Sequence, residues 1–341
     1  MRIERFDPRT DDKRLKACHD MTVAGSSEDE PNLPPMLYGQ FRGWWAYGFG
    51  DNPMQAWLAS ADSGEPVGGY LLELPQKENR ANAFAHAIVG PSWRRRGIGT
   101  TLLAHMAERS AESGRSLLMS ETRIGSPGNA FAGATGATAG LREVRRTLEV
   151  DEPLRSRLPG LRASAERHAA GYALRNWCGP APEELVEGLC ATFTDFGDAP
   201  HDKMFEPAIW DPARLRASDE RVKAQGTRLH AVAAVIAGTG EVAALTQLTV
   251  DPGRPNWGWQ ELTAVTRQHR GHRLGLLVKV AMLELLAVRE PGLRRIVTSN
   301  GQSNEHMVSI NEQLGYQVSD HTQGWSHDVG AARSLARAGQ S

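Results

Sequence analysis

Val89-Gly-Pro-Ser-Trp-Arg-Arg-Arg-Gly-Ile-Gly-Thr-Thr-Leu-Leu103 is the stretch on which the reading of this chain turns. An apolar run, Ala83 to Val89 (AFAHAIV), precedes it and reads as a buried strand interrupted only by His86. After it, Leu102, Leu103, Met106 and Ala107 recur at helical spacing. The order is therefore strand, short basic turn with two glycines, helix N-terminus. Such a turn leaves backbone N–H groups unpaired at the positive end of the helix dipole, where an anion binds. Gly97 and Gly99 let the backbone come close to that anion, and Arg94, Arg95 and Arg96 add charge. A phosphate-bearing ligand is expected against Val89, Arg94 to Arg96, Gly97, Ile98, Gly99 and Thr100. The plainer alternative is a basic turn that binds nothing. A Walker loop would need Lys-Ser or Lys-Thr after its last glycine, and Thr100 follows Gly99 directly. A dinucleotide fingerprint would need a third glycine where Leu102 stands.

Working outward, the same order of elements occurs again. In the first half, Met1 to Pro8 reads as a strand and Asp11 to Val23 as a helix. The aromatic segment Gly25 to Gly50 reads as a helix packed on a sheet, with an aromatic-lined substrate mouth as the sharper alternative. Gln55–Ala61 and Val67–Leu74 form a hairpin across Asp62-Ser-Gly-Glu. After the basic turn come a helix to Ser113, a strand at Ser116–Glu121, a short helix at Asn129–Thr135 and a closing strand at Leu141–Val150. Residues 151–171, rich in proline, glycine and arginine, are expected to be a linker. From Tyr172 the pattern restarts, with a strand at Tyr172–Asn176, a helix at Pro182–Phe193 and a variable region from Asp195 to Gln225 containing a helix at Pro212–Lys223. A strand pair then crosses Gly238-Thr-Gly-Glu, and Trp257 to Val265 leads into a second basic turn, Arg267-Gln-His-Arg-Gly-His-Arg-Leu-Gly275. A helix at Leu276–Val288, a strand at Ile296–Ser299, a helix at Asn304–Gln313 and a final strand from Gly315 complete it. Gly99 and Gly275 are 176 residues apart, which is a duplication at domain scale and too long a period for a solenoid. The expected division is 1–150, a linker at 151–171, 172–330, and a tail at 331–341.

Composition narrows the class of function. At 341 residues, two domains are the natural prior. Lys plus Arg number 39 and Asp plus Glu 40, so no global field draws nucleic acid or an anionic membrane. Cys18, Cys178 and Cys190 make no metal-ligand spacing and fit a reduced cytoplasm. The N-terminus, MRIERFDPRTDDKR, is charged where a signal peptide is apolar, and no apolar run reaches transmembrane length. A cytoplasmic protein without metal is expected.

The motif Arg94-x-x-Gly97-x-Gly99 after a strand ending in Val-x-Pro resembles the pyrophosphate loop of the GCN5-related N-acetyltransferases, the GNAT family. The second half resembles the same family nearly throughout, ending in Asn304-x-x-Met307-x-x-x-Asn311-x-x-Leu-Gly315-Tyr316. The resemblance implies an α/β fold of α+β type: two tandem GNAT domains, each a mixed, mainly antiparallel sheet flanked by helices. It implies acetyl-coenzyme A as cosubstrate, held by the first turn and, in the second half, by Val265, Arg270, Gly271, His272, Arg273, Leu274, Gly275, Leu276 and Asn304. It further implies acetyl transfer to a primary amine of a small molecule by a monomer or homodimer, with no nucleic-acid or membrane partner.

The departures from the family pattern are specific. Arg273 stands where Gly97 stands in the first copy, and either clamps phosphate or fills the pocket. Family members commonly carry a tyrosine at the position of Asn311, and the matching register in the first half gives Ala132. Gly125 replaces the asparagine of the first copy. The first half is thus expected to have the better coenzyme loop and the poorer thioester end, and the second half the reverse. A thiol with a pKa of about 8.5 leaves fairly well near neutrality, so a missing tyrosine does not abolish activity. Two residues are candidate bases: Glu261, in the strand before the second turn, and His86, in the equivalent strand of the first half. A solvent-facing strand glutamate and a structural histidine are the plain alternatives. A protein whose coenzyme sites are non-catalytic, or one using a longer acyl donor, fits the same motifs.

Overall fold

The computed structural model describes residues 1–48, 52–196 and 205–338. In chain order the elements are β1 (Arg2–Phe6), α1 (Asp12–Asp29), α2 (Tyr38–Tyr47), β2 (Met54–Ser60), β3 (Pro66–Glu73), β4 (Asn82–Val89), α3 (Ile98–Glu112), β5 (Leu117–Arg123), α4 (Pro127–Ala134), β6 (Thr138–Glu149) and α5 (Glu152–Glu166). There follow β7 (Tyr172–Cys178), α6 (Val186–Phe196), α7 (Pro212–Ala224), β8 (Arg228–Ile236), β9 (Val242–Val250), β10 (Trp257–Val265), α8 (Leu274–Arg289), β11 (Arg295–Gly301), α9 (Glu305–Leu314), β12 (Gln317–Asp328) and α10 (Val329–Ala338). A short 3-10 turn precedes each of α3 and α8, at Pro91–Trp93 and Arg267–His269.

Two compact units result. Unit 1 contains residues 1–143, Phe205 and Glu206, and the chain from Asp320 onward; unit 2 contains residues from Val144 and runs to Ser319. In unit 1 the strands lie in the order β1-β2-β3-β4-β5-β12, and in unit 2 β6-β11-β10-β9-β8-β7. Within each, one parallel pair stands among antiparallel ones: β4 with β5, and β10 with β11. The hairpins turn where the glycines allow positive φ, at Gly64 and at Gly238 with Gly240.

β8 and β9 are buried along nearly their whole length, as strands covered on both faces must be. One face packs on α5, α8 and α9 through Leu154, Leu158, Leu277 and Leu314. The other packs on α6 through Leu185, Leu189 and Cys190. In unit 1, Leu102, Leu103 and Met106 of α3 cover Tyr70 and Leu72 of β3, while α1 and α2 bury Leu15, Phe41 and Trp45 on the opposite face. The aromatic segment is therefore a packed helix over Tyr38–Tyr47, with Phe41 and Trp45 fully buried.

Three expectations on organisation change. Residues 151–171 form α5 rather than a linker: Asp151 caps it, Pro153 sits in its first turn, and Leu154, Leu158 and Ala165 face α8 at helical spacing. Residues 331–338 are not a loose tail, and 339–341 lie outside the described residues. The former belong to α10, whose Val329 and Ala332 join the core against α3. The last strand of the chain also fails to close the second half. From Asp320 it lies beside β5 in unit 1, paired from Thr322 to Asp328, while β6 runs on into unit 2 after Glu143. Part of the expected variable region, 197–204, lies outside the described residues.

Candidate active site

The two basic turns have the same backbone built from different residues. In the first, Arg95 (φ 63°) and Gly97 (φ 79°) take left-handed conformations; in the second, Gly271 (φ 89°) and Arg273 (φ 54°) do. Each turn thus has one glycine and one arginine at its two left-handed positions, in opposite order. Left-handed arginine costs about 1–2 kcal/mol, and both turns bear it once. Arg273 therefore preserves the shape that Gly97 gives. Each helix opens without a side-chain cap, so its first N–H groups face outward, as anion binding requires.

The side chains differ more than the backbones. Arg94 and Arg270 each direct Nε to a carbonyl five residues back, Val89 and Val265, at 3.4 Å in both. The Arg94 guanidinium then closes on Glu28 at 2.7 Å and Asp29 at 2.6 Å, both at the end of α1. Its charge is matched by these two carboxylates, and it braces the turn against the helix. Arg270 is exposed. Arg95 and Arg96 are exposed as well, and Arg96 lies over the Trp93 ring at 4.8 Å. Arg273 donates to Ser164 Oγ at 2.6 Å and reaches Gln313 at 3.5 Å, so it ties α8 to α5 and α9. His272 bonds the His168 carbonyl, and His269 meets Tyr172 Oη at 2.9 Å.

Ile98, Leu274 and Leu276 bury their side chains, leaving only their N–H groups for a ligand; Thr100 is half-buried. The second glycine of each turn has a packing role that sequence reasoning missed. A Cβ on Gly99 would stand 3.1 Å from the Phe131 ring of α4, and one on Gly275 2.9 Å from Ile310 of α9. Around Gly97 the space is open, and its need for glycine is conformational.

Upstream of each turn the parallel strands part. β4 pairs with β5 only at Asn82, Ala83 and Phe84, and β10 with β11 only at Trp257, Gly258 and Trp259. Past these residues each pair opens into a slot that points at its turn. β10 has nine residues to the eight of β4, and the extra one is Glu261, where the ladder with β9 skips from Gln260 to Leu262. Such a bulge re-aims backbone groups and leaves carbonyls to be satisfied. The Gln260 amide does so, donating to the Leu262 carbonyl at 2.9 Å and the Gln247 carbonyl at 2.5 Å.

Glu261 is exposed to solvent, with protein atoms crowded around its carboxyl. That desolvation pushes its carboxyl up, partly opposed by a 2.6 Å hydrogen bond from Thr249 Oγ1. His86, in the regular strand β4, lies edge-on to Trp44 at 4.6 Å, and burial pushes its pKa down to about 4. It is a weak base near neutrality. Of the tryptophans, Trp45 and Trp257 belong to the core.

Between β11 and α9 of unit 2, Asn304 caps α9 by accepting from the Met307 N–H at 3.2 Å. Asn311 is fully buried. Its Oδ1 accepts from Lys279 Nζ at 2.7 Å and its Nδ2 donates to Asn300 Oδ1 at 2.7 Å. Lys279 lies over the Tyr316 ring at 4.8 Å, and burial pushes its pKa down to about 7. In unit 1 the corresponding Ala132 is apolar and buried.

In each unit the strands open at a parallel pair toward a helix without a side-chain cap, an arrangement similar to the tandem GNAT fold, which in general supports acyl-CoA-dependent N-acyltransferase activity. Residues 18–128 match the family model described as acetyltransferase (GNAT) family. A tandem GNAT protein from the clavulanic acid biosynthesis pathway is similar over 96% of this chain and 98% of its own, at 25% identity and a TM-score of 0.82. A GCN5-related N-acetyltransferase from Sphaerobacter thermophilus shares the fold at 17% identity and a TM-score of 0.65, covering 96% of this chain and 95% of that one. So does Saccharomyces cerevisiae N-myristoyltransferase, at 9% identity and a TM-score of 0.62, over 96% and 80%. No curated protein sequence matches. GNAT enzymes use acetyl-CoA as cosubstrate, and their acceptors are generally amines. Among the described residues no helix is long and apolar enough to cross a membrane, and no cluster of three His, Cys, Asp or Glu is placed to hold a metal ion.

Proposed function

We propose that the chain transfers an acetyl group from acetyl-coenzyme A to a primary amine of a small molecule in the cytoplasm, and that unit 2 does the chemistry. The observation that carries this reading is the bulge at Glu261, set where β10 parts from β11 and upstream of a left-handed turn into α8. The pyrophosphate would rest on the N–H groups at the start of α8 with Arg270 beside it. The bulged strand would offer an N–H to the thioester carbonyl. The amine nitrogen attacks the carbonyl carbon, the C–S bond breaks, and the thiolate leaves. Glu261 takes the ammonium proton, a task its raised pKa suits. Asn311, with Lys279 bonded to it, stands where a tyrosine is common in the family, and the thiolate leaves without that acid.

Unit 1 fits a coenzyme-binding half without chemistry. Its strand β4 has no bulge, Ala132 offers no proton, and His86 is held neutral. Calorimetric titration with acetyl-coenzyme A, read for stoichiometry, and chromatography of coenzyme A released with a panel of amines test both statements. Binding together with release that Glu261→Gln removes is the expected outcome. No binding at millimolar ligand would reject the reading. Release unaffected by any change in unit 2 would move the chemistry to unit 1.

A further inference from the structure

At the other end of α8, about 24 Å along its 16 residues from the turn, lies a second group of reactive side chains. Cys178 ends the edge strand β7 directly opposite His230 of β8. Its Sγ is 3.2 Å from His230 Nδ1, and His230 Nε2 is 2.8 Å from Glu290 Oε1. Glu290 is the C-cap of α8, where the helix dipole opposes a carboxylate. Arg228 holds it there with two bonds of 2.7 and 2.6 Å. Burial alone would raise the Glu290 carboxyl, but the bonds from Arg228 and His230 outweigh it and keep the group ionised.

This order fixes the proton on the ring. An ionised carboxylate only accepts, so neutral His230 carries its hydrogen on Nε2 and turns the Nδ1 lone pair to the thiol. Arg228 already balances Glu290, with Asp251 as the further charge near Arg228. A proton moved from sulfur to Nδ1 therefore makes an imidazolium–thiolate pair whose cation is held by Glu290. His230 and Glu290 are 3% and 5% exposed, while Cys178 opens to solvent. The other two cysteines are buried, and burial raises both thiols. Nucleophile, base and orienting carboxylate thus stand in series with only the sulfur accessible.

We propose that Cys178, His230 and Glu290 form a thiol-exchange site, separate from acyl transfer, that takes low-molecular-weight disulfides. Cys178 sulfur attacks one sulfur of the disulfide in line as its proton passes to His230. The new S–S bond forms, the old one breaks, and the departing thiolate takes the proton from His230. Cys178 is oxidised to a mixed disulfide, and half of the small disulfide is reduced to a thiol. An exposed strand end suits a small disulfide, which needs only linear access to sulfur.

The test uses the full chain and the aromatic disulfide 5,5′-dithiobis(2-nitrobenzoate) at pH 7, with N-acetylcysteine as reference thiol. The native chain is expected to react at one thiol, located at Cys178 by mass spectrometry, about tenfold faster than the reference. His230→Gln should bring the rate down to the reference, and Cys178→Ser should remove the phase. A native chain no faster than N-acetylcysteine, or a fast phase that survives Cys178→Ser, overturns the proposal without needing any variant of the buried pair to fold.

Discussion

Arg94 and Arg270 occupy the same step of two turns, yet only one keeps its guanidinium clear of a carboxylate clamp. Arg270→Ala should weaken acetyl-coenzyme A binding about tenfold, the loss of one charge-assisted bond. Arg94→Ala should leave affinity within about twofold and lower the melting midpoint, since its partners are Glu28 and Asp29. Calorimetry beside thermal unfolding separates the two, and equal affinity losses would restore Arg94 to the ligand. At Glu261 the sign follows from the raised carboxyl: the base form appears as pH climbs through that raised value, so the acetylation rate should climb with it. Glu261→Gln should cost about a hundredfold or more and flatten the profile; an unchanged rate–pH curve would remove Glu261 as base. Lys279 gives a stability prediction instead. Its folded pKa of about 7 lies below the ordinary 10.5. Below pH 7 folded and unfolded chains both hold the proton, and the cost of a buried ammonium stands in full. Between pH 7 and 10.5 the unfolded chain holds more protons, so stability rises with pH. From pH 7 to 9, urea unfolding of the native chain should gain about 2 kcal/mol relative to Lys279→Met. Parallel curves would show that the ammonium stays protonated there.

At the scale of elements, the two turns are legible from their glycines and arginines, but one glycine has a packing reason that the sequence does not display. Gly97 serves a left-handed φ, whereas Gly99 makes room for Phe131 of the next helix. Each alanine substitution should cost about 1 kcal/mol, and a double-mutant cycle distinguishes them. Phe131→Ala should offset much of the loss from Gly99→Ala and none of that from Gly97→Ala; identical coupling would disprove the packing role. The hairpins, the helices flanking each turn and the packed α2 were likewise readable, because their signals are local. Helix α5 was hidden by its composition. Its arginines, proline and glycine suggest a linker, although the Asp151 cap and the spacing of Leu154, Leu158 and Ala165 carry the helix. The bulge had no such signal. One extra residue in β10 becomes visible only when β10 and β9 are in register, and the Lys279–Asn311–Asn300 chain only when helix and strand meet.

Across the whole molecule, the duplication was readable and the partition of the strands was not. A period in sequence says that two copies exist, but the edge on which a strand pairs is decided by contacts far apart in the chain. Unit 1 takes its sixth strand and the helix covering α3 from residues 320–338. A fragment of residues 1–150 should therefore leave the β5 edge and the side of α3 that meets α10 uncovered and should not unfold cooperatively. A monomeric fragment with a sharp melting transition would contradict this.

That same crossing orders events during translation. The first turn, with its strand and helix, leaves the ribosome early but cannot be finished until β12 and α10 are made, after all of unit 2. For most of its synthesis the first half is a sheet waiting for its edge. The unit begun first is completed last, and a nascent chain that stalls beyond Ser319 carries a finished second half behind an open first one.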